Sequence, residues 1–398
     1  MKIGIIIAIG FKELHGGNIR CFYLVKELVR RKHEITIFHG VTEDAKDSSR
    51  RFGCNCVGVG RSTSRWQSNF RKMLNSLYFI LKMKKILKNF DFDVLFGINV
   101  VHSIPIVWQK EAKSTILYVD MFSDLFEAEQ RYHFLGYPVS RIIRWIENWT
   151  IRRADRVMMI TETMKSMIRK PFSQKIVVIP DGADTEIFSP TVNGQAIKRK
   201  YGISDEPIIG YQGGISRHEG LQFLAMAAPF VLKEIPEARF LISGKGEYLS
   251  EIKKIIEKNR TQDHFIFTGW LDYYRIPEIL TATTVSVVPM PDIPFSRAII
   301  SFKLLEGLAS GTPLVVSDLP GVKEIVDETM VTFTQVENPR RFAQDIIKVL
   351  HMDKEKIKLM TAKGHRRVEK LDWRKIAMVD ADFIEGKDIS EKVKYLFT

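Results

Sequence analysis

The chain has 398 residues, 45% of them hydrophobic and 27% charged, with a net charge of +13. Such a length suits two domains of about 150–200 residues each, and the composition excludes disorder, collagen-like repeats and a coiled coil. The longest apolar runs, such as Ile5–Ile9 and Leu77–Leu81, fall far short of the roughly 18 residues a spanning helix needs, so no membrane crossing is expected.

In chain order, apolar β-branched runs alternate with helical patterns, which predicts parallel sheets joined by crossover helices. The strands predicted in the first half are Ile5–Ile9, Glu34–Phe38, Val94–Phe96, Ser114–Val119, Val157–Ile160 and Lys175–Ile179, with a helix over Ile19–Lys32. The opening residues imitate a short signal peptide. However, the apolar run ends in Gly10-Phe11-Lys12-Glu13 without a small-residue cleavage site, and a buried first strand is the expectation. Gly16 and Gly17 follow at a strand-to-helix turn, where backbone N–H groups can approach an anion. Their spacing is neither a dinucleotide fingerprint nor a P-loop.

Cys21, Cys54 and Cys56 make no disulfide framework and no zinc spacing, so they read as semi-buried residues of a reducing compartment, and the protein as cytoplasmic. Charge is unevenly spread: residues 1–180 carry +14 and residues 181–398 carry −1. Ten basic residues and no acidic one lie between Ser48 and Phe90, namely Arg50, Arg51, Arg61, Arg65, Arg71, Lys72, Lys82, Lys84, Lys85 and Lys88. Trp66, Phe70, Leu74, Leu77, Tyr78 and Leu81 recur among them at three- and four-residue steps, predicting an amphipathic basic helix or pair of helices. Residues 50–88 should therefore attract an anionic membrane surface, and no nucleic acid is expected without a recognition motif. Asp91-Phe92-Asp93 imitates a metal-holding pair, but its place just before a strand suits merely solvated acids; no metal is expected.

The second half repeats the alternation, with strands predicted at Ile208–Tyr211, Arg239–Ser243, Phe265–Thr268, Val285–Pro289, Leu314–Val316 and Met330–Phe333. Helices are predicted at Leu221–Lys233, Leu249–Asn259, Ile276–Thr281, Phe302–Ser310 and Pro339–His351. Turn-rich residues from Pro180 to Gly194 mark the boundary between the halves. Gly213 and Gly214, followed by Arg217, stand at one strand end, and Gly244 and Gly246 at the next, so both loops are candidates for phosphate contact. Ser301 is placed to cap a helix whose free N–H groups would meet an anion. Lys303 lies in that helix's first turn, where the dipole favours an acid, so an anion docking against it makes better sense of it. Glu306 lies one turn on, able to accept from sugar hydroxyls.

These motifs together resemble the retaining GT-B glycosyltransferases of the large family four. The resemblance runs nearly end to end: Gly16-Gly17, Arg31-Lys32-His33-Glu34, Arg153-Ala154-Asp155-Arg156-Val157, Ile179-Pro180-Asp181-Gly182-Ala183-Asp184 with Phe188, Phe267-Thr268-Gly269-Trp270, Val288-Pro289, and Lys303 to Pro313. It implies an α/β fold of two Rossmann-like doubly wound domains facing a cleft, over residues 1–185 and 186–372, with a crossover helix and tail over 373–398.

The resemblance also implies roles. Glu306 would bind the donor ribose, and the backbone around Gly269, Trp270 and Leu271 the base. Gly16, Gly17, Gly213, Gly214, Gly244, Gly246 and the helix start at Ser301 and Phe302 would cradle the diphosphate, while Lys303 and Arg217 neutralise the leaving phosphate. No cofactor is implied beyond a nucleotide-diphosphate sugar as donor substrate, and the acceptor would be a saccharide or lipid-linked. The sequence departs from the family at Ala298, which stands where a first glutamate is frequent, and at Gly214 and Glu219, in place of a usual Arg and Lys. Val119 takes the slot of an acceptor-side His, leaving Asp120 as the candidate there. A sugar-nucleotide epimerase and a catalytically lapsed sugar-nucleotide or membrane-binding protein stay open as alternatives.

Overall fold

A computed structural model describes residues 1–7, 11, 14, 16, 18–40, 44–59, 69–98, 100, 103–108, 112–119, 136–168 and 172–398, with backbone alone at 69–74, 76, 112 and 136–143. The chain forms two compact units, one of residues 1–180 with 374–396, the other of residues 181–373.

The first unit is a seven-stranded parallel sheet ordered β3-β2-β1-β4-β5-β6-β7. Its strands are β1 (Lys2–Ile7), β2 (Glu34–His39), β3 (Asn55–Gly58), β4 (Phe92–Ile98), β5 (Ala112–Val119), β6 (Arg156–Met159) and β7 (Ile176–Val178). Register places Ile5 of β1 opposite Ile37 on one side and Phe96 on the other. Such continuous burial is why these strands read as unbroken apolar runs rather than alternating ones. The helices used below are α1 (Ile19–Arg30), α2 (Asp44–Phe52), α3 (Asn69–Leu87), α4 (Ile104–Trp108) and α5 (Gly136–Arg153).

Two features differ from expectation here, and one expected strand end lies outside the described residues. Strand β1 is described only to Ile7, so the last two residues of its expected span lie outside the described residues. Strand β3 was not foreseen, because Asn55-Cys56-Val57-Gly58 is short, half-exposed and poor in strand formers. Consequently the basic stretch is not one helical face: Arg50 and Arg51 close α2, β3 intervenes, and Lys82, Lys84 and Lys85 lie on α3. Arg61, Arg65 and Trp66 lie outside the described residues.

The second unit is a six-stranded parallel sheet ordered β10-β9-β8-β11-β12-β13. Its strands are β8 (Ile208–Gly214), β9 (Arg239–Lys245), β10 (Phe265–Gly269), β11 (Val285–Val288), β12 (Leu314–Ser317) and β13 (Thr332–Thr334). Helices α6 (Leu221–Glu234) and α8 (Pro339–Leu350) cover one face over Tyr211, Phe240, Val287 and Phe342, with α7 (Phe302–Ala309) between β11 and β12. Strand order reverses between β1 and β4 in one sheet and between β8 and β11 in the other. Open α/β sheets bind ligands beyond the carboxyl ends of strands at such reversals.

Helix α9 (Trp373–Ile384) begins in the second unit, where the Trp373 ring lies 5.9 Å from Phe302, and continues in the first, and a last helix follows at Ser390–Phe397. There Asp380, fully buried, accepts two hydrogen bonds from the Arg20 guanidinium at 2.7 and 2.8 Å. Arg20 also donates to the Ile179 and Pro180 carbonyls and lies 4.6 Å from the Tyr118 ring centre. Arg31 reaches Asp382 and Glu385, and the His33 ring lies 2.8 Å from Glu385. Burial alone would raise the Glu385 carboxyl, but hydrogen bonds from Lys387, His33 and Arg31 outweigh it and bring it down to about 2. Removing one partner of a buried pair leaves an uncompensated charge at a cost of about 3–5 kcal/mol. Asp380→Ala should lose stability of that order in urea denaturation, whereas Arg20→Met with Asp380→Leu should recover most of it. A double variant as unstable as the single one would show that the pair is not the source of the loss.

Candidate functional site

The second unit builds its site where β8 ends. Gly213 and Gly214 close the strand, Ser216 leads into a single turn over Arg217–Glu219, and Gly220 starts α6 in the left-handed region at φ 78°. A side chain at Gly220 would meet the Pro289 carbonyl oxygen at 1.6 Å, so this loop is packed against the end of β11, at the strand-order reversal. A Cβ on Gly244 would lie 2.0 Å from the Gly213 carbonyl, and one on Gly246 1.9 Å from that of Ile215. Close backbone packing thus requires glycine at both positions.

Helix α7 starts beside this loop. Ser301 occupies its N-cap position, but its side chain makes no capping hydrogen bond. The Phe302 ring is engaged with Trp373, a packing role. Lys303, the second residue of the helix, is 8% exposed and extends to the β8 loop rather than to solvent. Its ammonium lies 2.5 Å from a Glu219 carboxylate oxygen and 5.6 Å from the centre of the buried Tyr211 ring. The other Glu219 oxygen is 3.8 Å from His218 Nε2. The sequence placed Lys303 against a docking anion; in the fold its direct ion pair is with Glu219, 84 residues earlier. Glu219 had registered only as a missing lysine. The signal that could have found the pair was two electrostatic misfits, a cation at a helix start and an acid in a glycine loop.

Glu306 faces inward on the same helix. Burial pushes its carboxyl up to about 8, a rise that the nearby Lys303 charge opposes but does not cancel. It is thus protonated at neutral pH and can donate as well as accept. Arg217 is exposed, and its guanidinium has no partner among the described residues. On the neighbouring strands, Gly269 is exposed, Lys245 lies 4.9 Å from the Trp270 ring centre, and Leu271 packs against the smaller apolar cluster around Ile208 and Leu241. These groups all lie at or after the carboxyl ends of strands of one sheet.

Two family models match successive parts of this architecture: "Glycosyltransferase Family 4" over residues 14–187 and "Glycosyl transferases group 1" over residues 206–352. Each unit thus matches a glycosyltransferase family, and the fold is GT-B. Among curated relatives, an alpha-D-kanosaminyltransferase of Streptomyces kanamyceticus is 24% identical over 198 residues, 47% of this chain and 48% of the relative. The chain thus spans about half the length of that relative. A GDP-mannose-dependent alpha-(1-6)-phosphatidylinositol monomannoside mannosyltransferase of Mycolicibacterium smegmatis is 21% identical over 376 residues, 91% of this chain and 93% of the relative. Among solved structures, sucrose-phosphate synthase of Thermosynechococcus elongatus has a TM-score of 0.80 at 17% identity, over 97% of this chain and 98% of that one. Anabaena HepE in complex with UDP-glucose has a TM-score of 0.75 at 15% identity, over 97% and 100%. At such identity the structural likeness is one of fold.

In the first unit, Gly16 is a half-buried turn residue ahead of α1, while Gly17 and Asp120 lie outside the described residues. Asp93 is engaged by Lys113 at 2.7 Å and by the Lys2 N–H at 2.8 Å, so it is held structurally. Cys21 is buried, Cys54 and Cys56 are half-buried, and all three are free thiols. The outer face of this unit is unusual. Phe79, Ile80, Met83 and Leu87 of α3 are buried, but Leu77, Tyr78 and Leu81 are exposed beside Lys82 and Lys85. Nearby, Lys84 lies over the half-exposed Trp108 at 4.5 Å, Trp108 meets Trp149 edge-on at 6.3 Å, and Arg153 lies over Trp149 at 4.7 Å. Trp145 on the same helix is 66% exposed. No helix among the described residues is long and apolar enough to cross a membrane.

The Glu306 shift has a signed consequence. A carboxyl that titrates near 4.5 unfolded and near 8 folded binds more protons in the folded state between those values. Its contribution is therefore full below about pH 4.5 and is lost as pH rises through 8. In urea denaturation from pH 5 to 9, Glu306→Gln should flatten the fall in stability over that window. Parallel curves for the variant and the unaltered protein would show that Glu306 is ionised in the fold.

Proposed function

We propose that the chain transfers a sugar from a nucleotide-diphosphate donor to a saccharide or lipid-linked acceptor, with retention of configuration and without a metal. The observation that carries this reading is Lys303: a buried ammonium at a helix start, beside the loop where the strand order of the second sheet reverses. Phosphate chemistry uses both halves of that arrangement, a fixed cation and free N–H groups at a helix N-terminus. Lys303 and Arg217 would take the charge of the departing diphosphate, each contributing on the order of 2–4 kcal/mol at the transition state. Glu306 would hydrogen-bond the donor ribose, and the Gly269, Trp270 and Leu271 segment would hold the base. No nucleophilic side chain is assigned, and the acceptor is taken to attack on the face the leaving group departs from. The relative named as a phosphatidylinositol monomannoside mannosyltransferase supports a lipid-linked saccharide acceptor.

The first unit's basic and aromatic face would bring the enzyme to an anionic membrane on its cytoplasmic side. Exposed Leu77, Tyr78 and Leu81 supply apolar contact, and the lysines supply attraction of about 1 kcal/mol for each one close to the head groups. Aromatic side chains with a polar edge suit such an interface.

Thermal denaturation with a panel of nucleoside diphosphates and nucleotide sugars tests the donor site directly. A ligand at 100 times its dissociation constant should add about 2.7 kcal/mol, and with a confirmed donor Lys303→Ala should lower turnover by about 10²–10³-fold. Unchanged turnover would remove Lys303 from the chemistry, and a loss of affinity without any turnover to lose would favour a sugar-nucleotide binding protein. For the surface, the protein should co-sediment with phosphatidylglycerol vesicles at low salt, not with phosphatidylcholine, and Leu77→Ser with Leu81→Ser should weaken it. Equal sedimentation with both lipids, or with neither, would overturn the membrane assignment.

A further inference from the structure

The glycine loop after β8 carries an acid, Glu219, beside the place where the donor diphosphate is proposed to lie. Four observations bear on what that acid does. The Glu219 carboxylate touches the Lys303 ammonium at 2.5 Å. Lys303 comes from α7 and is almost fully buried, lying over the face of Tyr211. Gly213, at φ 125°, leaves the space that the lysine fills: a Cβ there would lie 2.6 Å from Lys303 Cε and 3.2 Å from its Nζ. Finally, the loop offers Arg217 and His218 on its exposed and half-buried sides, but no lysine.

We propose that Glu219 is a positioning residue, which holds the Lys303 ammonium against the loop so that helix α7 supplies the cation for the donor diphosphate. This rests on the donor-binding reading above. A long, flexible lysine has many rotamers to lose, and a cation taken from water needs a counter-charge to stay ionised. The Glu219 carboxylate meets both needs, and Gly213 keeps the path clear. Other charged or titratable groups facing the ammonium are Glu306 from its own helix and Tyr211 from β8, with His218 beside Glu219. Because the two charges are in contact, exchanging them moves the positive charge only by about the length of the ion pair. What the site requires is an ammonium at that point, whichever element carries it.

The test is binding of UDP, GDP and ADP to the full chain by calorimetry, followed for whichever nucleotide the unaltered protein binds. Glu219→Lys and Lys303→Glu should each weaken binding by at least tenfold, and the two together should restore it to within about threefold. Glu219→Gln removes the counter-charge without repulsion, so it serves where a single reversal fails to fold. It should weaken binding three- to tenfold at neutral pH and make binding fail at a lower alkaline pH than in the unaltered protein, as the ammonium gives up its proton more readily. A merely structural role would not move that pH limit. A folded double variant as weak as the single ones would overturn the proposal, as would tighter or unchanged binding by Glu219→Gln at every pH. A protein that binds none of the three nucleotides overturns the donor reading, and this inference with it.

Discussion

The guanidinium of Arg20 and the carboxylate of Asp380 are both out of water, 360 residues apart in the chain, and joined by two hydrogen bonds. Burial raises the Asp380 pKa, and Arg20 pulls in the opposite direction, so each group makes the other tolerable inside. The arrangement fixes much else. Arg20 binds the carbonyls of Ile179 and Pro180 at the end of the seven-stranded unit and lies over Tyr118 of β5, so one side chain ties α1, β5, the exit of the chain and its return. A pair of this kind is weak as a source of net stability but strict about what must be present. Around it, Arg31, Lys387 and Lys392 converge on Asp382, holding that carboxyl well below the ordinary range although burial works against them.

The second unit solves a related problem at smaller scale. Lys303 and Glu219 each sit where local electrostatics disfavours them, and each becomes reasonable only through the other. Gly213 makes the meeting possible, since any side chain there would occupy the path of the lysine. Glu306, one turn along α7, is left with a neutral carboxyl at physiological pH. The result is a compact polar cluster at the strand-order reversal, built from two segments that are neighbours only in the fold.

The division between what the sequence showed and what it hid follows from how each feature is encoded. Strands such as Glu34–His39 and Val285–Val288 were legible because burial on both faces selects short runs rich in β-branched residues. Strand β3 was not, since a half-exposed edge of Asn, Cys, Val and Gly carries no such mark. Lys303 was singled out by breaking the helix-dipole rule, but its protein partner Glu219 was not found. A contact across 84 residues leaves no periodicity to read. The tight backbone packing at Gly244 and Gly246 was hidden for a complementary reason, since it calls for the same residue as anion binding.

The chain's two passages between its units are bound to each other. Ala183 and Asp372 form a parallel bridge, the Trp373 N–H donates to the Ala183 carbonyl, and Asp372 accepts from the backbone and hydroxyl of Thr185. This carries a consequence for the order of synthesis. The first 180 residues leave the ribosome without Asp380, and at about 5–20 residues per second that carboxylate follows some 10–40 s later. For that interval Arg20 has no counter-charge, and the second unit, a continuous segment, is complete at residue 373, before the first. The half made first is thus the half finished last, and a nascent chain has its α1 face to shield until α9 arrives.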